Sequence, residues 1–99
     1  MAKFDVYRHR NGSGYLLDLQ ADILSGLNTR FVAPLLPLSD APRPAVRLNP
    51  IFEFMGERYI MVTQFVASVP VRELGDRVGS LISEDTTITG AIDMLLGGY

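Results

Sequence analysis

Ile88 to Tyr99, ITGAIDMLLGGY, is the stretch whose reading decides the fold. Ile88, Ala91, Ile92, Leu95 and Leu96 fall at i, i+3, i+4, i+7 and i+8, which makes one apolar stripe on a helix. Just upstream, Ser83 reads as an N-cap, with Glu84 and Asp85 where the positive end of a helix favours carboxylates. The spacing predicts a helix over Ser83–Leu96, with Gly97 as its C-cap. Gly97, Gly98 and Tyr99 then form a small tip with one aromatic ring. Two roles stay open for that tip: a terminal residue lying on the surface, or a contact for a partner.

Moving outward, the first two-thirds of the chain read as strands. Phe4 and Val6 alternate with Lys3, Asp5 and Tyr7, the pattern of a strand with one face buried. His9 to Gly14 (HRNGSG) is a loop whose Asn11–Gly12 pair suits the positive φ angles of a tight turn. Tyr15 to Gln20 resumes as a strand, with Tyr15, Leu17 and Leu19 on one face and Asp18 and Gln20 on a solvated one. The two should pair as an antiparallel hairpin. Phe31 to Leu38 is apolar, but Pro34 and Pro37 lack the ladder donor, which predicts an edge strand or a strand with an irregular end. Ile51–Phe54 and Tyr59–Thr63 flank MGER, a hairpin turn around Gly56. Phe65–Val69 is a further strand, ended by Pro70. Ala21–Arg30 is open between two readings: Asp22 suits the cap of a short helical turn, while Gly26 and Asn28 argue for a loop. Gly75–Ile82 is left unassigned by pattern, and Ser39–Pro44 (SDAPRP) is a surface loop. The sum is an α+β chain, mainly antiparallel β, folded as a sheet or small barrel with one C-terminal helix.

Ninety-nine residues make one domain, spanning 1–99. Hydrophobic residues are 47% of the chain and charged residues 20%, a folded composition and not a disordered one. The net charge of −2 argues against a strong field for nonspecific nucleic-acid binding. There is no cysteine, so disulfides and zinc–thiolate sites are excluded, which suits the cytoplasm. MAKFDVYRHR has no apolar core of a signal peptide, and no apolar run approaches a membrane span. The expectation is a cytoplasmic protein with no membrane partner.

Chemistry-bearing residues are few. His9 is the one histidine, and it excludes any paired-histidine metal site. It is either an ordinary loop residue or part of a basic patch with Arg8 and Arg10 for an acidic partner or RNA. Asp18 and Asp22 could do acid–base work or share a metal, but no third ligand accompanies them, and a solvated strand face is the preferred reading. The glycines fit no phosphate-binding loop. The residues by themselves carry no catalytic signature; the expectation is a non-enzyme with no cofactor and no metal.

The whole chain resembles the CcdB family of toxin–antitoxin toxins. The likeness is carried by Phe4-Asp5-Val6-Tyr7, by Asp18-Leu19-Gln20-Ala21-Asp22-Ile23-Leu24, and by Val32-Ala33-Pro34-Leu35. It continues through Ala67-Ser68-Val69-Pro70-Val71 with Leu74-Gly75, and through Ala91-Ile92-Asp93-Met94-Leu95 with Gly98. The motifs occur in the family's order and spacing over nearly the full length. The resemblance implies an SH3-like barrel with a C-terminal helix, assembled as a homodimer with the helices at its axis. It implies a toxin that binds the A subunit of DNA gyrase and traps the gyrase–DNA cleavage complex. A cognate CcdA-like antitoxin would neutralise it, and toxin and antitoxin together would repress their operon, so that operator DNA is reached only through that complex.

Carried over by position, the gyrase-facing residues are Ile23, Leu24, Asp93, Leu96, Gly97, Gly98 and Tyr99. Antitoxin binding is expected at Arg8, His9, Arg10 and Arg43, which offer cations to an acidic peptide. The family's best-studied members end in aromatic-Trp-Gly-Ile, whereas this chain has Leu96-Gly97-Gly98-Tyr99 and no tryptophan. Losing such an anchor can remove a few kcal/mol from an interface. Two alternatives follow: a ribonuclease toxin of the same barrel using His9, Arg10 and Asp18, or a non-toxic chromosomal homologue that binds only antitoxin.

Overall fold

The computed structural model describes residues 2–98, and among them seven strands form one antiparallel sheet. Strand β1 (Asp5–His9) and strand β2 (Tyr15–Asp18) make the expected hairpin, with Val6 opposite Leu17 and Arg8 opposite Tyr15. The left-handed residue of their loop is Gly14, φ +77°, and not Asn11 or Gly12. A Cβ on Gly14 would meet the Leu35 carbonyl oxygen at 2.4 Å, so close approach of two backbones fixes glycine there.

Strand β3 (Thr29–Pro37) corrects the edge-strand reading, since it is the hub of the sheet. One side pairs with β2 over Val32–Leu35. On the other side Thr29–Val32 pairs with β6 (Ala67–Pro70), and Leu35–Pro37 pairs with β5 (Glu57–Met61). Pro34 sits at the changeover between these two partners, where its carbonyl accepts the Val62 N–H at 2.9 Å. The N–H that proline lacks would point into this gap, where no regular ladder needs it. The double pairing curls the sheet into a half-barrel.

Strand β4 (Ile51–Phe54) and β5 form the hairpin read around Gly56, with Met55 and Gly56 as its two-residue turn. Phe65 lies in a 3-10 turn (Thr63–Phe65) and not in a strand, so β6 begins only at Ala67. Strand β7 (Leu74–Ser80) was not legible from pattern; it pairs with β1 through two register shifts.

Side chains are buried on both faces of the sheet's central strands. Phe4, Val6, Leu17, Ala33, Leu35, Phe52 and Met61 pack beneath Ile88 and Ala91 of helix α1 (Asp85–Gly97). Tyr7, Leu16, Val32 and Leu74 form a second cluster on the opposite face. Asp18 shares the face of Leu16 and is wholly buried, which corrects the solvated-face reading.

The helix is entered through a 3-10 turn (Ile82–Glu84), so Glu84 and not Ser83 stands at the N-cap, without a side-chain cap bond. Thr89 Oγ1 donates to Asp85 Oδ1 at 2.9 Å in the first turn. Gly97 is the last helical residue. The C-cap is Gly98 in the left-handed conformation, its N–H donating to the Met94 carbonyl at 3.0 Å. Among the described residues no helix is long and apolar enough to cross a membrane.

Candidate binding surfaces

The apolar stripe of α1 is buried only in its first half. Ile88 and Ala91 are sealed in the core, whereas Leu96 is 79% exposed. Asp93, Leu96 and Gly97 line one shallow depression with Gly90 and with Arg47 from the loop before β4. Gly98 continues from this edge. Tyr99 lies outside the described residues.

Ile23 and Leu24 occupy a separate element, the 3-10 turn Asp22–Leu24, where Ile23 is 91% exposed. This turn is short and lacks apolar burial of its own, so polar groups hold it. Gln20 Nε2 donates to the Leu24 and Thr29 carbonyls, both at 3.1 Å, and Gln20 Oε1 accepts the Phe31 N–H at 3.0 Å. Asp22 Oδ1 accepts the Lys3 N–H at 2.6 Å. Beneath them Asp18 Oδ1 accepts the Gln20 N–H at 3.0 Å, and Asp18 Oδ2 takes the Arg30 guanidinium. Lys3, Phe4, Leu19 and Phe31 line a narrow groove with Ile88 and Ile92, which joins the base of this turn to the helix. The seven gyrase-facing residues of the resemblance thus fall, so far as they are described, into a helix-end group and a turn group.

A second surface surrounds the β1–β2 loop. Arg8, His9, Ser13, Tyr15 and Tyr59 line a cleft of about 300 Å³. His9 lies over Gly12 so closely that a Cβ there would come within 2.4 Å of Nδ1. Tyr59 is pushed up to about 12, first by burial and then by the Tyr15 hydroxyl and the Glu57 carboxylate. Arg10 is turned away: its Nη2 donates to the Leu74 carbonyl at 3.0 Å. Arg43 is exposed on a different loop and does not line the cleft. Of the four antitoxin candidates the structure brings Arg8 and His9 together and leaves Arg10 and Arg43 apart.

His9, Arg10 and Asp18 do not form a constellation. Asp18 is sealed against Arg30 at the other end of the β1–β2 hairpin from His9. Asp18 and Asp22 do not share a site either, and among the described residues no three His, Asp or Glu side chains could hold a metal. Two participants had no signal in the sequence. Gln20 reads as a solvated strand residue until the turn it closes is seen, and Arg47 sits in an ordinary-looking loop.

A family model described as CcdB protein matches residues 3–98. The chain belongs to the CcdB family. Solved structures share its fold at low identity. One is an endoribonuclease from a mycobacterial species in complex with its cognate antitoxin, 16% identical, with a TM-score of 0.78 over 98% of this chain and 95% of that one. Another is the Mycobacterium tuberculosis toxin MazF-mt6, 15% identical, with a TM-score of 0.78 over 93% of this chain and 95% of that one. Family and fold are both those of toxins from toxin–antitoxin pairs. The expectation of a non-enzyme is corrected by these structures. The same backbone, over nearly its full length, belongs to proteins named as endoribonucleases, so the lack of a catalytic signature in the sequence does not exclude catalysis.

Proposed function

We propose that this chain is the toxin of a type II toxin–antitoxin module, acting in the cytoplasm as a homodimer on the A subunit of DNA gyrase. The end of α1 and the Asp22–Leu24 turn meet the target. A CcdA-like antitoxin with an acidic tail binds at Arg8, His9, Arg10 and Arg43, neutralises the toxin and represses the operon with it. The observation that carries the reading is Leu96, a large apolar side chain left 79% exposed at the end of a stripe whose first half is buried. Ile23 on the Asp22–Leu24 turn is 91% exposed, so both parts of the surface offer a large apolar side chain to a partner. Gly97 and Gly98 beside it let a partner backbone approach. The test is a cleavage assay with purified gyrase and supercoiled DNA. Accumulation of linear, protein-linked DNA on adding the toxin supports the reading, and its absence at micromolar toxin sinks it.

A second reading is RNA cleavage in the β1–β2 cleft. It is favoured by the convergence of the Arg8 cation, the His9 imidazole and the Tyr59 hydroxyl on one hollow. A guanidinium can hold a phosphate and an imidazole can move a proton. Incubation with defined single-stranded RNA tests it. Cleavage lost in His9→Ala supports this reading, and intact RNA removes it.

A further inference from the structure

Among the described residues three non-glycine residues have positive φ: Phe4, Arg47 and Met55. Two have local reasons. Met55 is a corner of the two-residue β4–β5 turn. Phe4 is buried, with its N–H donated to the Asp18 carbonyl at 2.7 Å and its carbonyl accepting from Leu81 at 2.8 Å. Arg47, φ +71°, is exposed in the middle of a turn, which accounts for the left-handed corner but not for an arginine there. The turn is closed on itself and also pinned from outside. Asn49 Oδ1 accepts the Ala45 N–H at 3.0 Å, Asn49 N–H donates to the Ala45 carbonyl at 2.9 Å, and Asn49 Nδ2 reaches the Met61 carbonyl at 3.1 Å and Gln64 Oε1 at 2.7 Å. Thr63 Oγ1 donates to the Leu48 carbonyl. A turn held this firmly in a left-handed corner would be served with less strain by glycine or asparagine. The backbone therefore does not explain arginine at this corner, and strained residues of this kind gather where a side chain has work to do.

The place where that side chain sits supplies the explanation. Arg47 lines the depression at the end of α1 with Gly90, Asp93, Leu96 and Gly97, and it has no ion pair among the described residues. The hollow has a cationic wall, an anionic wall at Asp93 and a glycine floor. A Cβ on Gly90 would meet nothing within 4 Å, so the floor is open.

We infer that Arg47 is a specificity-determining contact of the target-binding surface, its guanidinium taking a carboxylate of the gyrase A subunit beside the apolar contact of Leu96. The inference rests on the gyrase reading above and deepens it. The opposite charges of Arg47 and Asp93 fix which way round an acidic segment of the target lies across the helix end. Resemblance did not point to this residue, because none of the family motifs covers its loop.

The experiment measures binding of full-length Arg47→Gly, Arg47→Gln and Leu96→Asp proteins to intact gyrase A subunit, with thermal unfolding alongside. Arg47→Gly relieves the left-handed corner and should keep or raise the midpoint of unfolding, yet weaken gyrase binding about tenfold or more. Arg47→Gln keeps the Cβ and the strain and should lose similar affinity, so the loss follows the charge and not the backbone. Both should show a shallower salt dependence than the parent protein. If both Arg47 variants bind like the parent while Leu96→Asp does not, the inference falls and the gyrase reading stands. If Arg47 variants lose only affinity for an acidic, antitoxin-like peptide and keep gyrase binding, Arg47 belongs to that interface and the inference falls. A parent protein that never binds gyrase A overturns both.

Discussion

Arg30 and Asp18 meet inside the sheet with neither side chain open to solvent; Arg30 Nε lies 3.1 Å from Asp18 Oδ2, and Nη2 contacts the same oxygen. The pair ties β3 to β2 on the face opposite the helix. It is not fully satisfied, because Arg30 Nη1 finds no partner among the described residues. Desolvating two charges is costly, and a missing hydrogen bond adds to the cost.

Removing one partner should therefore be severe. Asp18→Ala or Arg30→Met leaves a buried charge alone and is expected to cost about 3–5 kcal/mol. The double variant Asp18→Leu with Arg30→Met should recover most of the loss, and could exceed the parent, because it also removes the orphan Nη1. Chemical denaturation of all three variants checks this. A double variant as unstable as either single one would show that the pair is held for its hydrogen bonds to the backbone nearby and not for charge balance.

Gln20 predicts a more local effect. Its Nε2 faces two carbonyls, so Gln20→Glu places a carboxylate oxygen against the Leu24 and Thr29 oxygens at about the same positions. Shape is conserved and donors become acceptors. The expected cost is about 1–3 kcal/mol. Amide hydrogen exchange should quicken over residues 20–31 before it quickens in α1. Uniform loss of protection across the chain would mean that the turn is not a separable unit.

These two networks mark where the sequence stopped being legible. The β4–β5 hairpin and α1 were readable because each carries its own period: Phe52 and Phe54 alternate, and Ile88, Ala91 and Ile92 recur at helical spacing. β7 was not, because LGDRVGS offers only Leu74 and Val78 as apolar residues and takes its extended form from pairing with β1. The prolines of β3 argued correctly against an uninterrupted ladder and wrongly against a central position. Pro34 is harmless because the strand changes partner there. Asp18 was read on a solvated face and Arg30 fell in a stretch left open, since nothing in a linear pattern says that a charged pair will be buried inside the sheet. The family motifs located the candidate surface, but Arg47 and Gln20 had to be seen in space.

Tyr59 gives a pH prediction. Its pKa is raised to about 12, chiefly by burial, from an ordinary value of 10.0. A group whose folded pKa is raised supports the fold fully below its unfolded pKa and loses that contribution as pH climbs towards the folded one. Stability should therefore fall between pH 10 and pH 12, with Tyr7, also raised by burial, adding in the same direction. Urea midpoints of parent and Tyr59→Phe across this range provide the check. A parallel decline in both proteins would assign the loss to other groups.

The assembly is open to a direct measurement. Leu27, Phe31 and Ile82 are large apolar residues exposed on this single chain. A small domain gains stability by covering such residues, and a stable interface buries roughly 800 Å² on each partner. Sedimentation at micromolar concentration should give a dimer, with an unfolding midpoint that rises with protein concentration. A monomer whose midpoint is independent of concentration would remove the homodimer from the proposal.

The helix end separates binding from folding most sharply. Leu96, Gly97 and Gly98 are exposed, so changes here leave the core intact and cost at most the C-cap bond from Gly98 to Met94. Leu96→Asp is expected to change stability by no more than about 0.5 kcal/mol, the usual range for surface substitutions. Gyrase trapping should nevertheless be lost, because a charge replaces the apolar contact. Deleting residues 97–99 removes the glycine approach and the terminal ring, and it should have the same effect on trapping while antitoxin binding is kept. Gel assays of gyrase-linked DNA and titration with antitoxin read the two outcomes separately. A truncated protein that still traps cleaved DNA would make the tail passive and shift the contact to Ile23 and Leu24. A truncated protein that loses antitoxin as well would mean that the two partners share the helix end, and the separate assignment of Arg8, His9, Arg10 and Arg43 would have to be abandoned.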